Sequence, residues 1–382
     1  MKILVGLSGG VDSAVAAYLL KQQGHQVAAA FMRNWDSLVN NDISGNPTLD
    51  DPVCPQEKDY QDALSVARAL GITLYRIDFI KEYWDEVFAT FIDEYRHGRT
   101  PNPDILCNKY IKFDAFFDFA RSKGYEWVAT GHYGKVTHGM EGTRLMKAAD
   151  RNKDQTYFLD QVPYQAMTHT VMPLGDIDKP TVRSIAAELG LSVATKKDST
   201  GVCFIGERDF KAFLSNYLPA QPGDMIDIGT QKVVGRHDGV LYYTIGQRRG
   251  LGIGGDQGKW YVAGKDVATN RLYVASSHER GWLDSDSCLV GRLNWLCPGA
   301  SLRGAQACAA KFRYRQPDNP VTLEAAGDGR LMVRYPQRVP AVAVGQEAVF
   351  YDGDVCLGGG RIEQTFLDGI DVQQRIQEHV GA

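Results

Sequence analysis

The first residues, Lys2-Ile3-Leu4-Val5-Gly6-Leu7-Ser8-Gly9-Gly10-Val11-Asp12-Ser13, constrain the fold more than any other stretch. A short apolar run, Lys2 to Leu7, reads as a buried strand. It passes through Ser-Gly-Gly directly into a helical segment, Ser13 to Gln23, that Gly24 stops. The pattern then repeats. Gln26 to Met32 reads as a strand, Gln56 to Leu70 as a helix ended by Gly71, and Thr73 to Asp78 as a strand. Ile111 to Lys123 is a helix capped by Gly124, Trp127 to Thr130 a strand, and Thr181 to Leu189 a helix closed by Gly190. Strands alternating with glycine-stopped helices predict an α/β domain whose parallel sheet is doubly wound, with ligands at the carboxyl ends of its strands.

The Ser8-to-Ser13 turn has its own chemistry. Gly9 and Gly10 allow positive φ and close approach of a ligand to the backbone. The helix start presents unpaired N–H groups that suit phosphate, Ser8 and Ser13 add hydroxyls, and Asp12 can orient the loop or hold a cation. A plain tight turn is the bland alternative, but strand, donors and helix start in one hexapeptide outweigh it. The lysine of GxxxxGK[ST] is missing, which disfavours a kinase or GTPase.

A polar, turn-rich stretch lies between Arg33 and Pro55, and a long irregular loop of this kind is usually functional or mobile. After Phe210 the texture becomes short β-rich pieces, among them 225–228, Val240 to Ile245, Lys259 to Ala263 and Arg271 to Ala275. From Cys288 to Phe366 the same spacing predicts a small barrel or sandwich. At 382 residues more than one core is expected. The predicted domains are 1–206, a nucleotide-binding catalytic domain, then 207–280, a small central β-rich domain, and 281–382, a C-terminal β domain.

No stretch is long and apolar enough to span a bilayer, and the start lacks the parts of a secretory signal, so a cytoplasmic location is expected. The seven cysteines, at 54, 107, 203, 288, 297, 308 and 356, form no CxxC pair. They fit a reducing compartment better than a disulfide framework or zinc ribbon. The net charge of -4 argues against a wholly basic RNA-coating protein, while Lys232 to Arg361 holds about five more basic than acidic residues. Lys311, Arg313, Tyr314 and Arg315 read as a basic, aromatic-containing strand suited to phosphate contact and base stacking; a solvated β face is equally compatible.

Two cysteines have special surroundings. Cys107 follows Thr100-Pro101-Asn102-Pro103-Asp104, where prolines fix the backbone, and is expected at the start of a helix beginning near Lys109 to Ile111. A helix N-terminus with Lys109 and Lys112 nearby would favour a thiolate. Asp104, three residues earlier, would face the same pocket. Cys203 lies between Gly201 and Gly206, after Lys196 and Lys197, where flexibility would let a sulfur swing between partners. For each cysteine a buried structural thiol is the plain alternative. The Ser8-to-Ser13 loop resembles the pyrophosphate loop of the ATP pyrophosphatase family, which implies ATP and adenylation of a substrate oxygen. With such a loop the two cysteines suggest oxygen-to-sulfur replacement, in which adenylation makes the oxygen a leaving group, a cysteine persulfide supplies sulfur, and a second thiol releases it as a disulfide forms.

The strings SGGVDS, Phe31 to Trp35, TPNPDILCNKYIKF, Thr130-Gly131-His132-Tyr133, Lys153 to Leu159, DSTGVCFIGERDF and Tyr243 to Gly252 resemble, in order and over nearly the full length, those of the bacterial tRNA-specific 2-thiouridylases. These are members of the ATP pyrophosphatase, or PP-loop, family. The resemblance implies an adenine nucleotide alpha hydrolase-like catalytic domain, a central β-rich domain and a C-terminal β-barrel. It implies 2-thiolation of the wobble uridine of tRNA with release of AMP and pyrophosphate. ATP with Mg2+ would be held by Gly6, Leu7, Ser8, Gly9, Gly10, Val11, Asp12 and Ser13, with Met32 and Gly131 near the adenosine. Cys203 would carry the persulfide, Cys107 would free its sulfur, and Asp104 is a candidate acid/base group. Asn102, Pro103 and Asp104 would meet the uridine; His132, Lys153, Asp154, Gln155, Arg313, Tyr314 and Gln346 would contact tRNA. The expected partners are tRNA and a persulfide-carrying relay protein or cysteine desulfurase, with no membrane, and the chain is expected to be monomeric.

His132 alone would pass for a structural histidine, but it follows a strand at the ligand-binding end of the sheet. Rival readings are an amidating synthetase that uses ammonia and needs no cysteine pair, and a nucleotide-gated redox or RNA-binding protein without turnover. An iron–sulfur cluster on Cys107 and Cys203, with Cys54 or Asp104, is a further alternative.

Overall fold

The computed structural model describes residues 1–51, 53–198, 205, 208–219, 221–254, 258–297 and 305–381. Its first unit is a five-stranded parallel sheet in the order β3-β2-β1-β4-β7, built from β1 (Lys2–Gly6), β2 (Gln26–Arg33), β3 (Leu74–Asp78), β4 (Trp127–Ala129) and β7 (Thr170–Val171). Between β4 and β7 the hairpin β5 (Lys135–Gly139) and β6 (Gly142–Met146) leaves this sheet. Alternating side chains of β1 and β2 divide between two cores. Leu4, Ala28, Ala30 and Met32 enter one, and Ile3, Val5, Ala29 and Phe31 the other. Burial on both faces is why these strands read as unbroken apolar runs.

Helices α1 (Val11–Gln22) and α2 (Pro55–Leu70) flank the loop side of the sheet. A helix that the periodicity did not announce, α3, runs through Ile80–Glu82, Tyr83–Phe88 and Ala89–Arg96, the middle piece in wide π turns. The next, α4, runs through Pro103–Leu106, the π-wound Cys107–Ala115 and Phe116–Ser122. It therefore starts eight residues before the expected Ile111, because Asn102 caps it and Pro103 stands where no amide donor is needed. Helix α5 (Lys179–Glu188) completes the layer.

After α6 (Phe210–Ser215) comes a four-stranded sheet in the order β10-β11-β8-β9, from β8 (Gly223–Asp227), β9 (Val233–His237), β10 (Trp260–Asp266) and β11 (Arg271–Ser276). The expected β piece at Val240 to Ile245 is instead a 3₁₀ turn over Val240–Tyr242, which buries Val240 and Tyr242. Strands β12 (Asp284–Trp295), β13 (Gln306–Lys311), β14 (Asn319–Gly327), β15 (Arg330–Pro340), β16 (Glu347–Asp352) and β17 (Val355–Leu367) follow. They close into a six-stranded barrel because β12 pairs with both β15 and β17. Closure removes the sheet edges and settles barrel over sandwich. Strand β17 also pairs with β6, joining the hairpin of the first unit to the barrel. Among the described residues no helix is long and apolar enough to cross a membrane.

Candidate active site

The turn after β1 is held by its own hydroxyls. Ser13 Oγ accepts from Ser8 N at 3.1 Å, lies 3.2 Å from Ser8 Oγ, and donates to the Gly10 carbonyl at 3.1 Å. No side chain caps the start of α1, so its first-turn N–H groups stay available, as a phosphate site requires. Two glycines are sterically required. A Cβ on Gly9, at φ +76°, would stand 2.3 Å from the Asp59 carbonyl oxygen, and one on Gly131 would stand 2.7 Å from Ser13 N. The β4 end and α2 thus press directly on the loop. Met32 lies beneath it, its Cε 3.2 Å from where a Gly6 Cβ would be.

Around this loop is a charge cluster that the sequence reading missed. Asp12 receives the Tyr133 hydroxyl at 2.9 Å and both of its oxygens accept from Lys179 Nζ, at 2.7 and 2.8 Å. The same ammonium reaches Asp198 at 2.8 Å, which also binds Lys153 at 2.6 Å and Arg183 at 2.8 Å. Burial pushes the Asp198 carboxyl up, but the Lys153 and Lys179 ammoniums override it and hold it at about 2. Lys196 donates to the Gly9 carbonyl at 3.0 Å while paired with Asp59 and Asp62, both at 2.6 Å. One signal could have found Lys179: a lysine next to proline in the first turn of α5, where a cation opposes the helix dipole.

These residues fit ATP by their uncapped amides, hydroxyls and lysines. Among the described residues no three His, Cys, Asp or Glu side chains are grouped to hold a metal ion.

Cys107 is fully buried, in the apolar cluster that also holds Met32, Phe116 and Ile205. It sits in the second turn of α4 rather than at the helix start, where π turns begin; such turns are frequent at functional sites. Asp104, one turn before it, is partly exposed, and Asn102 accepts from Asp104 N at 3.1 Å as the helix cap. Cys203 lies outside the described residues. Its sequence neighbours on either side do not: Asp198 is bound to the lysine cluster, and Ile205 is buried beside Cys107's cluster.

The residues expected to meet tRNA divide. Lys153 is partly exposed. Asp154 is buried and accepts from Ala148 N at 3.0 Å and from the Thr156 hydroxyl at 2.9 Å. The Gln155 side chain accepts from Tyr133 N at 2.9 Å. His132 is buried, its Nδ1 2.8 Å from the Thr130 hydroxyl, and burial together with Lys112 holds its pKa well below the ordinary value. These three side chains shape the site from inside. The expected strand through Arg315 ends at Lys311, so Arg313 and Tyr314 lie on the turn after β13. Arg313 bonds the Ile245 carbonyl of the central unit, and Tyr314 packs 4.5 Å from the Phe158 ring. Gln346 donates to the Thr100 carbonyl at 2.7 Å. The loop before β16 thus reaches the chain that enters α4, while the turn after β13 meets Ile245 and Phe158.

Family profiles match three successive parts. One described as a tRNA methyl transferase HUP domain matches residues 1–207, one described as a tRNA methyl transferase PRC-barrel domain matches 211–276, and one described as an aminomethyltransferase beta-barrel domain matches 285–362. The full-length relatives are named otherwise. The tRNA-specific 2-thiouridylase MnmA of Mycoplasma capricolum is 52% identical over 370 residues, covering 95% of this chain and 99% of the relative. That of Mesoplasma florum is 53% identical over 373 residues, covering 95% and 98%. That of Bacillus velezensis is 49% identical over 368 residues, covering 96% of each.

Proposed function

The chain belongs to the tRNA-specific 2-thiouridylase family, and from that premise we propose that it exchanges the C2 oxygen of the wobble uridine of tRNA for sulfur at the expense of ATP. The observation that carries this reading is the approach of the Cys107 helix to the end of β1 that runs into the Ser8–Ser13 loop, where Met32 Cε and Phe116 Cε1 would stand 3.2 and 3.7 Å from a Cβ on Gly6. ATP phosphates would rest on the amides of Gly9 to Ser13 and the hydroxyls of Ser8 and Ser13, with Met32 and Gly131 near the adenosine. Magnesium would offset phosphate charge when bound.

The uridine C2 oxygen attacks the α-phosphorus, the bond to the β-phosphate oxygen breaks, and pyrophosphate leaves. The outer sulfur of a Cys203 persulfide then attacks C2, and AMP departs with the original oxygen. Cys107 attacks Cys203 Sγ, the S–S bond breaks toward the transferred sulfur, and a Cys107–Cys203 disulfide remains. The two thiols are oxidised as the sulfane sulfur is reduced, so an external thiol must reset the enzyme. Asp104, one turn from Cys107, would manage the proton at the target base. The target base would leave its stack to reach these residues, the general solution for chemistry on a base. Asn102, through the helix cap, and Pro103 would line the uridine, while Lys153, Arg313, Tyr314 and Gln346 belong to the surface that orients the tRNA. His132, Asp154 and Gln155 would act on that surface from beneath. A persulfide-carrying relay protein or cysteine desulfurase would load Cys203.

The test is nucleoside mass spectrometry of tRNA incubated with the protein, ATP, Mg2+ and a persulfide donor. Wild type should form 2-thiouridine with AMP and pyrophosphate, and Cys107→Ser and Cys203→Ser should not. An amidating activity would survive both substitutions, and a non-catalytic RNA binder would release no AMP.

A further inference from the structure

Lys179 occupies an expensive position. It stands in the first turn of α5, where the helix dipole disfavours a cation, and its side chain is only 9% exposed, so its charge is largely stripped of water. Two carboxylates from distant parts of the chain offset both penalties. One is Asp12 of the nucleotide loop, with contacts of 2.7 and 2.8 Å, and the other is Asp198, at 2.8 Å. The Lys179 backbone N–H is also taken, by Asp150 at 3.1 Å. The ammonium is therefore a bridge between the loop and residue 198, five residues before Cys203 in sequence. A second lysine two residues before Asp198 repeats the arrangement: Lys196 binds the Gly9 carbonyl. Residues 196 and 198 are thus both fastened to the nucleotide loop by ammonium contacts.

A polyphosphate arriving on that loop brings stronger negative charge than either carboxylate, to within reach of the same ammonium. We propose that Lys179 is shared between Asp198 and the nucleotide: phosphate draws it away from Asp198, so that occupancy of the loop removes one of the three cations, Lys179, Lys153 and Arg183, that anchor the chain leading to Cys203. Lys179 is then a positioning residue through which nucleotide binding is reported to the sulfur-carrying part of the chain. By linkage the coupling works both ways, and whatever weakens the Asp198 bond strengthens nucleotide binding. The inference rests on the loop binding ATP, as proposed above.

The test is a double-mutant cycle on the full-length chain, with a non-hydrolysable ATP analogue and Mg2+ titrated calorimetrically. Lys179→Gln should weaken binding by about fivefold or more, and Lys179→Arg should restore most of it. Asp198→Asn should tighten binding, which a merely structural Asp198 would not do. In the Lys179→Gln background that tightening should disappear, separating the shared ammonium from a general loss of negative charge. Hydrogen exchange over residues 190–198 should quicken when the analogue binds wild type, and not when it binds Lys179→Gln. Asp198→Asn tightening equally in both backgrounds, or failing to tighten while melting normally, overturns the inference. So does analogue-independent exchange in wild type, which decides the matter even if Asp198→Asn does not fold. If wild type binds no analogue at all, the reading of the loop as an ATP site falls instead.

Discussion

The side-chain amide of Gln346 donates to the Thr100 carbonyl at 2.7 Å, fastening the loop before β16 to the chain that becomes the Cys107 helix. Thr100 N donates in turn to the Val344 carbonyl at 3.0 Å. Between them Gly345 has no room for a side chain, since a Cβ there would lie 2.8 Å from Thr100 N. The barrel is therefore registered against Thr100, two residues before Asn102, by one backbone and one side-chain hydrogen bond.

Gln346→Ala removes one part-buried hydrogen bond, worth about 1 kcal/mol. Melting should shift by a few degrees at most, while kcat/KM for tRNA falls more than the stability change explains. Single-turnover thiolation beside thermal denaturation measures both; equal losses would assign Gln346 to stability alone.

Glu94 is nearly buried and binds Arg99 at 2.6 and 2.9 Å and Arg361 of β17 at 2.7 Å. Burial raises its pKa, but the two guanidiniums outweigh that and hold the carboxyl below its ordinary value. Its contribution is thus present above the unfolded-state value and lost as pH falls through the lower folded one. Glu94→Gln should cost about 3 kcal/mol near neutrality. In urea unfolding between pH 7 and pH 3, the gap between wild type and variant should narrow toward the acid end.

His132 is held neutral by burial and by Lys112. Below the ordinary value of 6.5 the unfolded chain takes up a proton that the folded ring refuses, so this residue lowers stability as pH falls from about 7 to 5. His132→Gln should show a shallower loss of urea midpoint over that range. A ring titrating in the folded state with a pKa near 6.5, read from its NMR shifts, would contradict the expectation.

Gly131→Ala places a methyl group 2.7 Å from Ser13 N and 2.8 Å from the Asp12 carbonyl carbon. Both are backbone atoms at the start of α1, so relief must come from moving the loop itself. ATP affinity should drop at least about tenfold, with far-UV circular dichroism preserved. Equilibrium binding of labelled ATP reports the first and the spectrum the second.

Much of the first unit was legible because buried parallel strands and glycine-stopped helices leave strong periodic marks; β1, α1, β2 and α2 lie within two residues of their expected bounds. Helix α3 escaped because its middle piece, Tyr83–Phe88, is wound in π turns that break the 3.6-residue rhythm. The start of α4 was hidden by Pro101 and Pro103, which read as extended chain until Asn102 is seen to cap it. The Ser8–Ser13 loop could be read because strand, turn and helix are contiguous there. Asp198 could not, and Lys179 offered only its place beside Pro180 at a helix start, since the bonds that give them meaning join residues 12, 179 and 198 only in the folded chain. The resemblance put Asp154 and Gln155 at the tRNA, and that their side chains bond inward, to Ala148 N and Tyr133 N, is visible only in the folded chain.

The pairing of β6 with β17 has a consequence for synthesis. Leu145 and Met146 meet Cys356 and Val355, so the outer edge of the hairpin has no partner until about two hundred further residues have left the ribosome. Throughout that interval the nascent catalytic unit carries a bare strand edge, the kind of surface that recruits other chains. The last strand of the barrel is also what silences it. Products of premature termination upstream of residue 355 should therefore accumulate as aggregates, even when every residue of the nucleotide loop and of the Cys107 helix has been made.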